Sequence, residues 1–288
     1  MRIPLMGEVE RVASGQPVGV RAMGQTRPAR TFWWDRERPV EADILRAVIF
    51  DADSALADIE RDGHRLAFNA AFAEHGVDVS WSVEEYGRLL RIPDGPRRIA
   101  AGLRARGFGT SADALADRIY RTKTAVFGDC VLDGDIAPRT GLIDLVMSLF
   151  VAGIWVGVVS TRRRAWVEAL VRQLVGDGLV ETIVTVDDLS DIDFRPECDA
   201  ELYRLALWEL GITPRDALAI EGSRRGLCAA LAAELPAVVV TTGYTADQQF
   251  NGAAEVRTGY DGADPLLAAG CQQAHRRWRI AQQRSQAA

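Results

Sequence analysis

Lysine is nearly absent from this sequence of 288 residues: Lys123 is the only one, and every other basic residue is an arginine. A mechanism that needs an amine side chain can therefore draw only on Lys123. The formal net charge of -6 argues against general binding to nucleic acids. No apolar run is long enough to span a bilayer, so we expect no membrane contact.

Cysteine and histidine are also scarce. The three histidines are isolated from one another, and a zinc site is not expected. The first residues contain no apolar signal region, so we expect a cytoplasmic protein. The cysteines have no paired spacing, which is typical of free thiols in a reducing compartment. They are Cys130, Cys198, Cys228 and Cys271.

The most informative stretch runs from Leu45 to Asp53 and reads Leu-Arg-Ala-Val-Ile-Phe-Asp-Ala-Asp. Its apolar and β-branched residues predict a buried parallel strand over 46–53, with two aspartates at its carboxyl end. Strand alternation would place Asp51 and Asp53 on one side. Such a pair can share a divalent cation, or one carboxylate can attack phosphorus while the other transfers a proton. A strand that runs into an acidic turn would have the same pattern.

The periodicity of apolar residues changes along the chain. Residues 1–44 are polar and weakly periodic and are interpreted as an arm or tail. Residues 61–137 have helical spacing, which predicts a helical insertion or cap. Residues 46–60 and 138–260 alternate between strand and helix and predict an α/β core, a doubly wound parallel sheet with helices on both faces. Residues 261–288 are predicted to hold a final helix.

Three polar residues are predicted to follow core strands at their carboxyl ends, where parallel sheets bind ligands. They are Asp51, Ser160 and Glu221.

Four stretches of the sequence, which include these three residues, resemble the haloacid dehalogenase-like (HAD) phosphohydrolases. They are Val48 to Asp53, Ala67 to Ala73, Val158 to Thr161, and Ile220 to Ser223 with Gly226. The likeness is greatest to the capped branch of CbbY-type phosphatases, phosphoglycolate phosphatases and β-phosphoglucomutase. It covers about two thirds of the chain and implies a Rossmann-like core.

The resemblance also implies roles for residues of the core. Asp51 would be the nucleophile that forms an aspartyl-phosphate, and Asp53 the acid and base. Mg²⁺ would be held by Asp51, Asp53 and Glu221. Ser160 and Thr161 would bind phosphate. From their position alone, the arginines at 162–164 could add phosphate contacts or could form a solvated turn.

The family also has a phosphate-binding lysine, and none is available in this part of the chain. Gapless matching places Glu197 at that position, whereas a shift of two residues places Arg195 there, followed by Pro196. We favour Arg195. A guanidinium can bridge two phosphate oxygens, although its geometry differs from that of an ammonium.

On the cap side, Glu60 and His64 match positions that face the phosphate in capped relatives. Gly95 and Arg98 match a loop that grips the distal group of sugar phosphates. These matches imply that the substrate is a small phosphorylated metabolite.

Several positions depart from the family pattern. Ser54 and Ala55 follow the aspartate pair where glycine and threonine are usual, and Gly222 replaces the second of two paired acids. Loss of an anionic ligand predicts weak Mg²⁺ binding, which Gly222→Asp should tighten. Asp187 and Asp188, after another predicted strand, are possible substitutes.

Two functions are compatible with this pattern. The first is an HAD-type phosphohydrolase that acts on a sugar-phosphate type of metabolite, with slow turnover or a high Mg²⁺ requirement. The alternative is a non-catalytic HAD-like protein that binds a phosphometabolite or a protein partner. The aspartate pair that matches the family pattern favours the enzyme, and the degenerate metal and lysine motifs favour the binding protein.

Overall fold

The computed structural model describes residues 44–92, 94–132, 136–189 and 198–287. The predicted arm at 1–44 lies outside the described residues, except for residue 44. A parallel sheet of six strands forms the centre, with the strand order β3-β2-β1-β4-β5-β6. The strands are β1 (Ala47–Asp51), β2 (Trp155–Ser160), β3 (Thr182–Thr185), β4 (Ala217–Glu221), β5 (Ala237–Val240) and β6 (Glu255–Arg257).

Helices connect these strands and also fill the segment between β1 and β2. They are α1 (Arg65–Glu74), α2 (Val83–Leu89), α3 (Gly95–Arg104), α4 (Ala112–Leu132), α5 (Leu142–Val151), α6 (Arg164–Leu174), α7 (Cys198–Leu210), α8 (Arg224–Ala232) and α9 (Ala268–Ala287). In the described part of the chain, no helix is both long and apolar enough to cross a membrane.

The two faces of the sheet are covered by different helices. Val48 and Phe50 of β1 pack with α5, α6 and α9 on one face. Ala47 and Ile49, the alternating positions, pack with α7 and α8 on the other face. Both faces of the central strand are therefore apolar, as the continuous apolar run predicts. The predicted doubly wound parallel sheet is confirmed.

Helices α1 to α4 surround an apolar cluster of their own. At its centre Trp81 is fully buried, with ring centroids 5.1 Å from Phe68 and 4.7 Å from Phe72. Gly102 faces the same indole, and a Cβ there would approach it to 3.2 Å. This cluster contains no strand within the described residues, in keeping with the helical periodicity of the segment.

The first strand is shorter than predicted. β1 ends at Asp51, and a π-helical turn (Ala52–Leu56) begins at once, capped by the Asp51 carboxylate. The prediction that Asp53 continues the strand on the same side as Asp51 is therefore wrong, because Asp53 lies in this turn. A second π-helical turn, Ile59–His64, leads into α1. β6 has three residues and no apolar run, and the sequence did not predict it.

Candidate active site

A cleft of about 330 Å³ opens at the carboxyl ends of β1, β2 and β4. Because these strands are neighbours in the sheet, their terminal residues Asp51, Ser160 and Glu221 lie side by side along its floor. Several predicted site residues line this cleft: Asp51, Asp53, Glu60, Ser160, Thr161 and Glu221. The predicted convergence of three distant segments is thus found.

Asp51 is held in place by the turn that follows it. One of its oxygens, Oδ2, accepts a hydrogen bond from the Ser54 backbone N–H at 2.8 Å and another from the Ser54 hydroxyl at 2.6 Å. Burial raises the pKa of Asp51 to about 7, the carboxylate of Asp53 adds to the rise, and the bonds from Ser54 oppose it. Without a cation, the negative charge on Asp51 is therefore poorly compensated.

Glu221 is the second acid of the cleft floor. Only 3% of the residue is exposed, and the Tyr203 hydroxyl donates a hydrogen bond to Oε1. Among the described residues, Oε2 is buried with no hydrogen-bond partner. Burial raises the pKa of Glu221, and the nearby charge of Asp51 raises it further. A Cβ at Gly226 would overlap this carboxylate, which explains the glycine at the start of α8.

These acids fit a divalent cation only in part. Within the described ranges, no three histidine, cysteine, aspartate or glutamate side chains are grouped closely enough to form a metal site alone. Asp51 and Glu221 repel each other, and two buried carboxylate oxygens, Asp53 Oδ1 and Glu221 Oε2, have no hydrogen-bond partner among the described residues. A bound cation would relieve both conditions. Mg²⁺ is commonly held by one or two carboxylates, with water and substrate phosphate completing its coordination. The residues present fit Mg²⁺ on these terms.

Arg162 connects the floor of the cleft to the helical segment. Its Nε donates to Asp53 Oδ2 at 3.0 Å, and its Nη2 lies 3.1 Å from His64 Nε2. The other imidazole nitrogen, Nδ1, lies 2.8 Å from Nζ of Lys123 on α4. A line of three basic groups therefore extends from the cleft into the protein.

The protonation states in this line follow from its geometry. Arg162 remains charged and can only donate, so His64 Nε2 must accept its hydrogen bond. A neutral imidazole then carries its proton on Nδ1, and Lys123 must be a neutral amine to accept it. The pKa shifts have the same direction: burial and the charge of Arg162 lower the pKa of Lys123 to about 7, and burial with the charge of Arg162 lowers the pKa of His64.

The cap-side residues are not equivalent. Glu60 lines the cleft and accepts a hydrogen bond of 2.6 Å from the Tyr86 hydroxyl. Arg98 lies behind Tyr86, 8% exposed, and donates to that hydroxyl and to the carbonyls of Leu89 and Ile92. The expectation that Arg98 grips the substrate must be corrected, because its donors are already engaged in supporting Tyr86 and the end of α2.

The residues predicted to bind phosphate lie where β2 ends. Ser160 is buried, and its hydroxyl accepts the Arg162 N–H at 3.1 Å. Thr161 and Arg162 line the cleft beside it. Arg195 and Glu197, the alternatives for the missing lysine, lie outside the described residues.

Asp187 and Asp188 do not replace the missing metal ligand. Asp187 binds Arg163 at 2.8 Å and accepts the Arg164 N–H at the start of α6. Asp188 binds the Arg164 guanidinium and the Thr185 backbone. Both carboxylates are engaged there, and neither lines the cleft.

Comparison with known proteins agrees with this geometry. A family model described as haloacid dehalogenase-like hydrolase matches residues 45–234. The chain belongs to this family. The protein CbbY of Cereibacter sphaeroides is 39% identical over 210 residues, which are 73% of this chain and 90% of that protein.

Solved structures agree as well. CbbY from Rhodobacter sphaeroides in complex with phosphate has a TM-score of 0.61 and 36% identity, covering 79% of this chain and 99% of that one. A CbbY mutant in complex with xylulose-(1,5)bisphosphate has the same TM-score and coverage with 35% identity. The family and enzyme class predicted from the sequence, an HAD-type phosphohydrolase, are confirmed.

Sequence reasoning missed four residues of this HAD site. Tyr203 carried no signal beyond the helical periodicity of α7. Lys123 was noted only as the sole lysine, and its contact with His64 was not predicted. Arg162 was considered only as one of three arginines in a turn. Ser54 was noted as a departure from the family, but its contact with Asp51 depends on the π-helical turn, which apolar spacing does not reveal.

Proposed function

We propose that this HAD protein hydrolyses the phosphate ester of a small sugar-phosphate type of metabolite in a Mg²⁺-dependent reaction through Asp51. The observation that supports this most is the position of Asp51 at the end of β1. It lies on the cleft floor beside Glu221 and is fixed by two hydrogen bonds from Ser54. A nucleophile needs such a fixed position relative to the phosphorus that it attacks.

The proposed reaction has two steps. An Asp51 oxygen attacks phosphorus, the bond from phosphorus to the ester oxygen breaks, and Asp53 gives its proton to that leaving oxygen. Water then attacks the aspartyl-phosphate, loses its proton to Asp53, and releases inorganic phosphate with Asp51 restored. The contact between Asp53 and Arg162 holds the acid at the cleft wall.

Cations and donors around the phosphate complete the proposal. Ser160 and Thr161 lie at the carboxyl end of β2, and Arg162 brings a guanidinium to the same wall. Arg195 remains part of the proposal as a further phosphate contact. Charge-assisted hydrogen bonds of this kind stabilise the extra negative charge of the transition state.

Mg²⁺ would be held by the carboxylates of Asp51 and Glu221 and by the backbone carbonyl of Asp53. In the Asp53 carboxylate, Oδ2 accepts from Arg162, and Oδ1 has no partner among the described residues. When bound, the cation neutralises charge on the phosphate oxygens. On the cap side, Glu60 is proposed to meet the substrate directly, and His64 to act through Arg162. A cytoplasmic location is also part of the proposal.

The test is turnover with Mg²⁺ of p-nitrophenyl phosphate and a panel of sugar phosphates that includes xylulose 1,5-bisphosphate, the ligand of the CbbY relative. We expect Asp51→Asn to reduce turnover by on the order of 10³-fold or more, because the nucleophile is lost. Asp187→Asn is the matched control, since this acid lies away from the cleft, and it should keep activity within about twofold.

Two results would contradict the proposal. Equal turnover by the parent and Asp51→Asn would show that Asp51 is not the nucleophile. A folded parent that turns over no member of the panel at high Mg²⁺, but binds phosphate in calorimetry, would favour the non-catalytic binding protein. The loss of one acid at position 222 is the observation on the side of that second function.

A further inference from the structure

Two departures from the family pattern, far apart in the chain, lie against each other in the structure. A Cβ built on Gly222 would lie 2.5 Å from Ser54 Cβ and 2.6 Å from Ser54 Oγ, with the Ser54 carbonyl oxygen at 3.2 Å. Real Cβ atoms do not approach other heavy atoms to 2.5 Å. A side chain at position 222 therefore has no room while Ser54 is present.

The same serine is bound to the proposed nucleophile. Its hydroxyl and its backbone N–H both donate to Oδ2 of Asp51, at 2.6 and 2.8 Å. Ser54 lies in the π-helical turn directly after β1, so that both donors point back toward the end of the strand. Gly222 follows β4, the neighbour of β1, and this brings the two positions together.

We propose that Ser54 is a positioning residue for Asp51 and that positions 54 and 222 share one space, which only one of them can fill with a side chain. In this chain the side chain of Ser54 fills that space. The glycine at 222 is then required by the serine at 54. The positioning part rests on the proposed function, whereas the shared space rests on geometry alone.

One consequence concerns restoring an acid at position 222. Gly222→Asp alone places its Cβ on Ser54, so the expected gain in Mg²⁺ binding is lost to displacement of the turn. Ser54→Gly together with Gly222→Asp frees the space first. The double variant should therefore bind Mg²⁺ more tightly than the parent, whereas Gly222→Asp alone should not.

The shared space is tested with the smallest side chain, in a double-mutant cycle read by urea unfolding. With Ser54 present, Gly222→Ala should lower the folding equilibrium constant at least about 30-fold, a scale typical of overpacking. With Ser54→Gly, the same change should lower it less than about threefold. Gly243→Ala is the control: nothing lies within 4 Å of a Cβ there, and its effect should be the same in both backgrounds.

If Gly222→Ala has equal effects with and without Ser54, the shared space is refuted. This outcome does not depend on activity, so it is separable from failure of the proposed function.

Calorimetry with Mg²⁺ provides a second test of the shared space. Ser54→Gly/Gly222→Asp should bind Mg²⁺ at least about tenfold more tightly than the parent. The proposal would also be overturned if Gly222→Asp alone were as stable as the parent and bound Mg²⁺ as tightly as the double variant.

The positioning role is tested by Ser54→Ala, which keeps the Cβ and removes only the hydroxyl bond to Asp51. We expect kcat to fall about tenfold with KM changed less than about threefold, since a hydrogen bond to a charged group is lost. A merely structural role would lower stability and leave kcat unchanged, and this result would refute positioning. If the parent has no turnover, positioning falls with the proposed function, and the unfolding cycle still decides the shared space.

Discussion

Burial has opposite effects on the acids of the cleft floor and on the bases that lie behind the cleft wall. On the sheet side, burial raises the pKa of Asp51 and Glu221, which shifts both acids toward the neutral, protonated form. On the helical side, burial lowers the pKa of His64 and Lys123, which shifts both bases toward the neutral, deprotonated form. No ion pair joins the two groups among the described residues. Arg162 connects the two sides indirectly, because it binds Asp53 next to the acids and contacts His64.

The difference lies in what each side can still bind. Asp51 and Glu221 line the open cleft, and Glu221 Oε2 lacks a partner among the described residues. An external cation can therefore restore their charged forms. His64 and Lys123 are buried, with the ring of Phe127 against both. The charge of the acids can therefore change when a cation binds, whereas the charge of the bases should not.

After loss of the proposed nucleophile in Asp51→Asn, the largest expected effect comes from neutralising Glu221. Glu221→Gln keeps the shape of the protonated side chain but cannot recover a charge when Mg²⁺ arrives. We expect kcat/KM to fall on the order of 10²-fold, which corresponds to about 2.7 kcal/mol. The measurement is turnover over a Mg²⁺ series, with thermal unfolding to follow cation binding.

The thermal measurement distinguishes a ligand role from a packing role. Mg²⁺ should raise the Tm of the parent and of Glu201→Gln, a control on α7 away from the cleft, but leave Glu221→Gln unchanged. A rise in Tm for Glu221→Gln equal to that of the parent would show that the cation does not depend on this carboxylate.

A smaller effect is expected from breaking the link between the two sides. Arg162→Gln removes the guanidinium that meets Asp53, His64 and the cleft. We expect KM for a phosphorylated substrate to rise about 10- to 30-fold, because a charge-assisted contact to phosphate is lost. Steady-state kinetics at saturating Mg²⁺ measures this.

Arg163→Gln is the matched control for that change. Arg163 is the next residue, but its side chain is exposed and binds Asp187 outside the cleft. Its KM should stay within about twofold of the parent. If both variants raise KM equally, the effect is one of general positive charge, and no specific phosphate contact by Arg162 is needed to explain it.

The sheet side could be predicted from the sequence and the helical side largely could not. The apolar runs before Asp51, Ser160 and Glu221 identify their strands, and parallel strands bring their carboxyl ends to one edge. The position of Asp53 was mispredicted, because a π-helical turn of five residues has no apolar signature.

The helical side depends on packing between distant helices. Arg98 sits on a strongly amphipathic helix, and sequence matching alone could not show that backbone carbonyls already accept its hydrogen bonds. Likewise, Lys123 contacts His64 only because α4 packs against α1 and the π-helical turn before it. Such contacts follow from tertiary structure, which a periodic pattern does not specify.

Per unit of pH, the smallest effect is the slope in stability that Lys123 contributes. Its folded pKa is about 7, below the ordinary value of 10.5. Between these values the unfolded chain binds a proton that the folded protein does not, so this group makes stability rise with pH, by at most about 1.4 kcal/mol per unit. Below pH 7 both states are protonated, and the cost of the buried ammonium is constant.

Lys123→Met removes that dependence. We expect the variant to be more stable than the parent at pH 7, with the margin shrinking steadily as the pH rises toward 10. Urea unfolding at each pH measures it, and comparing the two proteins cancels the titration of Asp51 and Glu221, which occurs in both. Arg121→Met removes an exposed cation on the same helix and should give a margin that does not change with pH.

A margin for Lys123→Met that is also constant would mean that Lys123 keeps its ordinary pKa in the folded protein. The amine would then donate to His64 Nδ1 as an ammonium, and the assignment of His64 Nε2 as acceptor from Arg162 would be wrong. Because Lys123 is the only lysine, selective ¹³C labelling of lysine gives a single side-chain Cε resonance whose titration decides between these states.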